Sequence, residues 1–389
     1  MACFREDCDI CLELGDRREY AIANSNVGSI YLSQGDYSKA VACFEVQKQI
    51  SKEMGDKRAY SIAMGNMGIA YVEQGDFENG MACYEERKQI SQELGDKRGY
   101  AIAMGNMRNV YKNLGEYDKA MHCYEEQRQN SREMGDTRAY PTIAGSIGNV
   151  YFNLGDYPKA KASYEEQMQI ALEAGNKRAQ AIALSNISSW YFELGDFPAA
   201  IPYFDKQRQI SSELGDRRGI SLALSNMGAL FYHQKQFSKS MNCFDEAILI
   251  GKDLKISFDL CQYLYGKAEL LFVLENYDSA KSIVQEALGI ANELNRQGII
   301  FDCSILENKL LALENGAESL KRLKAMLETE RDLERKAKLH YTICQINQSI
   351  EHRQIALNLY QKLYDKNSKY DYRMKIEELN AEPKRSRKK

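Results

Sequence analysis

Asparagine returns every forty residues along much of this 389-residue chain, at Asn26, Asn66, Asn106, Asn186 and Asn226, with Ser146 in the one remaining place. A carboxamide offers both donors and an acceptor, so a row of them can hold an extended peptide backbone. Asparagine inside a helix costs a few tenths of a kcal/mol or more relative to alanine, so its recurrence needs a reason. The same row could instead bond to the adjacent repeat and fix inter-repeat register, and the residues alone leave both readings open. Asn109 and Asn149 stand three residues further along and extend the polar face in the middle repeats.

A second row is cationic: Arg18, Arg58, Arg98, Arg138, Arg178 and Arg218. Guanidinium groups in a row favour acidic ligand side chains through bidentate pairing. Each falls in the first turn of a helix, near the positive helix end, where a cation is unfavourable without a compensating partner. Glu13, Glu53, Glu93, Glu133, Glu173 and Glu213 repeat five residues earlier. Arg–Glu pairs across the turn would explain both rows without a ligand.

Little else in the chain could do chemistry. The four histidines (His122, His233, His340, His352) occupy unrelated repeat positions. There is no phosphate loop, nucleophile elbow, zinc pattern or carboxylate pair outside the ladders, so no enzyme, cofactor, metal or small-molecule substrate is expected. Cys8-x-x-Cys11 has no second pair at zinc spacing. Cys43, Cys83, Cys123 and Cys243 share one repeat position with Ser163 and Tyr203, which fits small packing residues kept reduced and not disulfides. A net charge of −3 gives no general case for nucleic acid. No run approaches the ~20 apolar residues of a membrane span, and no export leader opens the chain. A cytoplasmic protein is expected, with a nuclear address conceivable in a eukaryote from the basic residues at 384–389.

The elements that position these rows follow from a recurring Gly-Asp. It occurs at Gly55-Asp56, Gly95-Asp96, Gly135-Asp136 and Gly215-Asp216, and out of phase by twenty residues at Gly35-Asp36, Gly75-Asp76, Gly155-Asp156 and Gly195-Asp196. Glycine enters the left-handed conformation that ends a helix, and aspartate caps the start of the next. Apolar residues at helical spacing, such as Ile62, Met67, Ala70 and Tyr71, fill the first helix. The unit is an antiparallel helix pair too small to bury its own apolar face, so it must stack on its neighbours. Pro158 and Pro198 fall where a helix tolerates proline, whereas Pro202 should kink its helix and Pro141 should delay or bend the start of another.

Small residues (Gly28, Gly68, Gly148, Gly228; Ala40, Ala120, Ala160, Ala200, Ala280) alternate with large ones (Tyr31, Tyr71; Phe44, Tyr84, Tyr124, Tyr164, Phe204). The pattern Val27-Gly28-x-x-Tyr31, Gly35-x-Tyr37-x-x-Ala40, Phe44 resembles the tetratricopeptide repeat family. Its forty-residue period resembles the repeats of LGN/Pins and kinesin light chain, and the repeat arms of bacterial signalling proteins. The resemblance implies an all-α, right-handed superhelical α-solenoid of antiparallel helix pairs, with the first helices on the concave face. It also implies that the asparagine row lines a peptide groove, as such ladders do in LGN/Pins.

The expected organisation is a truncated half-repeat at 1–14, seven repeats over 16–295, degenerate capping repeats over 296–366 and a polar, basic, disordered tail over 367–389. The half-repeat should fray or self-associate, and it hints at a piece of a longer array. The expected function is a non-catalytic scaffold binding an extended peptide of a partner in the groove, the peptide acidic where the arginines face it. The alternative is a sensory or regulatory arm of a larger signalling enzyme (cyclase, kinase or nucleotide-dependent switch). Candidate ligand-binding residues are Asn26, Asn66, Asn106, Asn109, Asn149, Asn186, Asn226, Arg58, Arg98, Arg138 and Arg178.

Overall fold

The computed structural model describes residues 10–11, 13–134 and 140–381. These form nineteen helices and, among the described residues, no strand. In unit 1, which ends at Ile143, the helices pair as α1 (Arg17–Ser33) with α2 (Tyr37–Glu53), α3 (Lys57–Glu73) with α4 (Phe77–Glu93), and α5 (Lys97–Asn113) with α6 (Tyr117–Met134). The division into units falls within α7 (Tyr140–Asn153). Unit 2 continues with α8 (Tyr157–Glu173), α9 (Lys177–Leu194), α10 (Phe197–Glu213), α11 (Arg217–His233), α12 (Phe237–Asp253), α13 (Ser257–Val273), α14 (Tyr277–Glu293), α15 (Gln297–Glu314), α16 (Gly316–Thr329), α17 (Leu333–Asn347), α18 (Ile350–Lys366) and α19 (Tyr370–Asn380).

Glycine and aspartate divide the labour at each turn. Gly55 sits at φ +68° and Gly75 at φ +83°, where an L side chain is strained. The Asp56 carboxylate accepts the Ala59 amide at 2.9 Å, and Asp96 accepts that of Gly99 at 2.9 Å. Later repeats keep the turn without the glycine. Lys235, Lys255, Glu275 and Asn295 adopt the same left-handed conformation, at about 1–2 kcal/mol each for residues with a Cβ. The turn is retained because the packing on both sides of it is retained. Ala40, Ala120, Ala160, Ala200 and Ala280 are all fully buried.

Within a pair, a missing side chain admits a ring. A Cβ on Gly28 would come within 2.7 Å of Phe44, and one on Gly68 within 2.5 Å of Tyr84. Where this position carries Arg108, the guanidinium lies over the Tyr124 ring at 4.6 Å and donates to the Gln127 carbonyl at 2.8 Å. α10 runs unbroken through Pro202, and α7 is helical from Tyr140 with Pro141 as its second residue.

Among the described residues, first-helix backbones approach one another across repeats more closely than second-helix backbones do, although Lys252 of α12 reaches Glu286 of α14 at 2.7 Å. In unit 1, α1 meets α3 and α3 meets α5; in unit 2, contact runs from α9 to α11, α13, α15 and α17 in turn. Within each unit the first helices therefore lie on the inside of the curve. In unit 2 this curve returns on itself, because α19 reaches α9. The Tyr370 ring lies on Gly195 and meets Phe197 edge-on at 5.0 Å. The His233 ring stacks on Phe197 at 5.4 Å. The Tyr157 hydroxyl donates to Asn367, and the Lys366 carbonyl would lie 2.7 Å from a Cβ on Gly155.

This corrects the expected tail. Residues 370–380 form a helix because Tyr372 and Leu379 bury themselves against α17 and α18, with the Tyr372 hydroxyl donating to Glu334 at 2.7 Å. Residues 382–389 lie outside the described residues, as do 1–9 and 12, which carry most of the expected half-repeat. No described helix is long and apolar enough to cross a membrane.

Candidate functional site

The asparagine row falls on the first helices and divides by its partners. In unit 2 the Asn186 amide donates to Gln167 of the preceding repeat at 2.9 Å, so at this position the carboxamide serves the scaffold. Asn149 accepts from Tyr164 of its own repeat at 2.7 Å. In unit 1, Asn26 is exposed, Asn66 and Asn106 are half-buried, and none of the three has a hydrogen-bond partner among the described residues. The same holds for Asn226 in unit 2. Asn109, exposed, only accepts a long contact from Arg108 at 3.4 Å.

The difference between Asn106 and Asn186 has a chemical cause. Opposite Asn106 the place of Gln167 is taken by Arg87, which has donors and no acceptor. Asn106 Nδ2 and Arg87 Nε are both buried without an acceptor. Burial also pulls the Arg87 pKa down, so its charge is held there at a cost. Two donors in unit 1 are thus buried without an acceptor, which costs the fold.

The sequence reading missed this inner polar position. Gln47, Arg87, Gln167 and Gln207 share it and are only 5, 9, 2 and 5% exposed. On a helix such residues read as surface. The available signal was the facing small residue: a Cβ on Gly65 or Gly145 would run into Arg87 or Gln167.

A second row escaped notice because it looked like core. Ile62 reads as part of the apolar stripe of α3, yet Ile22, Ile62 and Ile102 are 43, 43 and 41% exposed, and Ile182 in unit 2 is 52% exposed. Each lies four residues after an arginine of the cationic row and four before an asparagine, so the three types form one stripe on the first helix. Between α1, α2 and α3 the stripe borders a pocket lined by Arg18, Ile22, Met54, Arg58 and Ile62.

Among the described residues the arginines of this row are exposed and none pairs with the glutamate across the turn. Arg218 binds Asp259 at 2.7 Å and Arg18 lies 3.9 Å from Asp56. Arg58, Arg98 and Arg178 have no ion pair among the described residues, and Arg138 lies outside those residues. The glutamate row binds the cation one position earlier at the start of the same repeat: Arg17 with Glu53, Lys57 with Glu93 at 2.9 Å, and Lys177 with Glu213 at 2.6 Å.

The repeat cysteines are packing residues in this arrangement. Burial pushes the Cys83, Cys123 and Cys243 thiols up to about 11. Among the described residues no group of three or more histidine, cysteine, aspartate or glutamate side chains is arranged to hold a metal ion.

Residues 19–79, 140–206 and 179–252 match a tetratricopeptide repeat family model, and residues 109–127 match a second one. No curated protein matches the sequence. Among solved structures, a Rap protein complexed with competence and sporulation factor is similar with a TM-score of 0.58 at 12% identity, over 93% of this chain and 99% of that one. The Rap conjugation gene regulator of plasmid pLS20, in complex with the Phr* peptide, gives 0.57 at 14% identity, over 89% and 97%. A Pyrococcus horikoshii signal-transduction ATPase with a tetratricopeptide repeat sensor gives 0.54 at 14% identity, over 94% of this chain and 54% of that one. At such identities the likeness is one of fold. The chain therefore carries tetratricopeptide repeats over the matched residues, and its described helices stack as the helix pairs of that repeat.

Proposed function

We propose that the first-helix face binds an extended segment of a partner protein and that the chain is a non-catalytic interaction scaffold. The observation that carries this is the stripe Arg58, Ile62, Asn66 and its repeat Arg98, Ile102, Asn106. Its guanidiniums lack ion pairs, its isoleucines are exposed and its carboxamides are unbonded among the described residues. That combination offers charge, apolar contact and backbone pairing in one strip. Unpaired guanidiniums favour an acidic segment. Relatives in fold solved with peptides, such as the Rap regulator with Phr*, support a peptide-sized ligand. A cytoplasmic setting goes with this reading.

The test selects peptides from a display library on the full chain and measures the best of them by calorimetry. Asn66→Ala with Asn106→Ala, or Arg58→Glu with Arg98→Glu, should weaken binding roughly tenfold or more while Tm stays nearly unchanged, since the two carboxamides bond nothing among the described residues and substitutions at the exposed arginines stay within about 0.5 kcal/mol. Affinity should fall with salt, exposed charges being screened over ~10 Å at 0.1 M. A large drop in Tm with affinity per folded molecule intact would assign both rows to the scaffold.

A second reading is a regulatory arm of a larger signalling protein. The repeat sensor of the Pyrococcus ATPase, which shares this fold, favours it. Sequence upstream and downstream of the same open reading frame separates the two.

A further inference from the structure

Met54, just past the last residue of α2, closes the pocket between Ile22 and Ile62. One repeat on, Leu94 holds the place of Met54, and Ile62 and Ile102 hold the places of Ile22 and Ile62. Met54 and Leu94 are 49 and 44% exposed, as open as the isoleucines beside them. Unit 1 thus carries two apolar sockets one repeat apart, with Ile62 common to both. The first measures about 240 Å³, below the roughly 300–1,000 Å³ of ordinary small-molecule sites, so it suits a single side chain.

Charge at the sockets is positive. Arg18 and Arg58 line the first, and its one carboxylate, Asp56, accepts the Ala59 amide and lies 3.9 Å from Arg18. Arg58 and Arg98 stand at the second and have no ion pair among the described residues. Unit 2 shows what an arginine of this row takes. Arg218 donates to Asp259 through Nε at 2.7 Å and Nη2 at 3.3 Å. There a carboxylate of the chain itself fills the place that stays open at Arg58 and Arg98.

Spacing selects the backbone of the partner. Neighbouring first helices of unit 1 are in contact, and packed helices lie about 8–10 Å apart. Two anchors must stand about that far apart on one face. A β-strand repeats a face after ~6.6 Å and again after ~13 Å, and neither fits one repeat. Polyproline II has three residues per turn at about 3.1 Å each, so every third side chain recurs after ~9.3 Å. An α-helix comes near with its seventh residue, at ~10.5 Å, but its backbone groups are bonded internally and leave none for Asn66. A polyproline II backbone keeps its groups free.

We infer that unit 1 reads an acidic partner segment in polyproline II conformation. Large apolar residues at i and i+3 sit in the Ile22–Met54–Ile62 and Ile62–Leu94–Ile102 sockets, and an acidic residue beside each pairs with Arg58 or Arg98. Ile62, shared by both sockets, sets the register. This spacing rule rests on the peptide-binding role proposed for the stripe and adds which side chains are read and how far apart they stand.

The test uses the full chain and calorimetry with three capped peptides, each carrying two leucines preceded by aspartates. Acetyl-Asp-Leu-Pro-Asp-Leu-Pro-Asp-amide sets the leucines three apart. The others set them two apart in a threonine-rich strand former and seven apart in an alanine-rich helix former. The first should bind roughly tenfold tighter than either, the effect of seating one more leucine. Ile62→Ser should weaken that peptide roughly tenfold, and Met54→Ser or Leu94→Ser about threefold each, since each removes one wall of one socket. Circular dichroism checks that the variants fold. The spacing rule is overturned, and the peptide role kept, if library-selected peptides depend on Arg58 and Asn66 while the three-apart peptide binds no tighter than the other two or is unaffected by Ile62→Ser. If no peptide, selected or designed, depends on the stripe, both fall.

Discussion

Lys57 Nζ lies 2.9 Å from Glu93 Oε2, joining the first residue of α3 to the last residue of α4. Each charge stands at the wrong end of its own helix, the cation at a positive end and the carboxylate at a negative one. Together they compensate, and Arg17–Glu53, Lys177–Glu213 and Arg217–Asp253 repeat the arrangement. The ion-pair ladder therefore closes these four repeats and leaves Arg58 and Arg98 outside it.

Charge reversal at Lys57 should have a small, rescuable effect. The pair is exposed, at 61 and 47%, and exposed pairs contribute about 0.2–1 kcal/mol. Lys57→Glu should destabilise by about that much in urea denaturation at low salt, and Lys57→Glu with Glu93→Lys should recover most of it. Affinity for a stripe-binding peptide should not change in either variant. A loss of affinity without a loss of stability would show that this ladder touches the ligand.

Asn186 and Asn66 should behave as different residues despite sharing a repeat position. Asn186→Ala leaves the buried Gln167 carbonyl without its donor, a loss of about 1–3 kcal/mol. Asn66→Ala removes no bond among the described residues and should leave stability within about 0.5 kcal/mol. Differential scanning calorimetry of the two variants decides it, and equal losses would contradict the division.

The contact between α19 and α9 should weaken in mild acid. Burial holds the His233 pKa below its usual 6.5, with Asp371 and Glu269 pulling it up and Lys375 pushing it further down. The folded state therefore favours the neutral ring. Stability from this group is complete above about 6.5 and is lost as pH falls through the depressed folded value, because the unfolded chain takes the proton first. His233→Phe keeps the ring against Phe197 and Tyr370 and removes the titration. Urea midpoints at pH 7.5 and 5.5 should differ less in this variant than in wild type; an equally steep fall would exclude His233 as the cause.

Much of this architecture was legible because glycine and aspartate act locally. Gly55 and Asp56 specify a turn by backbone conformation and one side-chain bond, and Gly28 opposite Phe44 specifies a close approach. Burial of individual positions was not legible in the same way. Ile62 and Met67 are both apolar at helical spacing, yet Ile62 is 43% exposed and Met67 is 3% exposed. Only the neighbouring repeat decides which of them it covers. Arg87 illustrates the converse, a charged residue buried because Gly65 makes room for it. The helix at 370–380 lacked both turn signals; Tyr372 and Leu379 pack on the preceding α17 and α18, but Tyr370 finds Gly195 and Phe197 far away in sequence.

Tyr157 and Asn367 bond across 210 residues. In a stack whose repeats touch only their neighbours, either end can melt alone and folding can start anywhere. A clasp between distant repeats changes the kinetics. Its two halves must wait for every intervening helix pair, and closing so long a loop carries an entropic cost that local pairs avoid. Unit 2 should therefore assemble its helix pairs quickly and seat Tyr370 on Gly195 last. Once seated, that contact ties the melting of the C-terminal helix to that of α9, so neither end of the arc frays without the other.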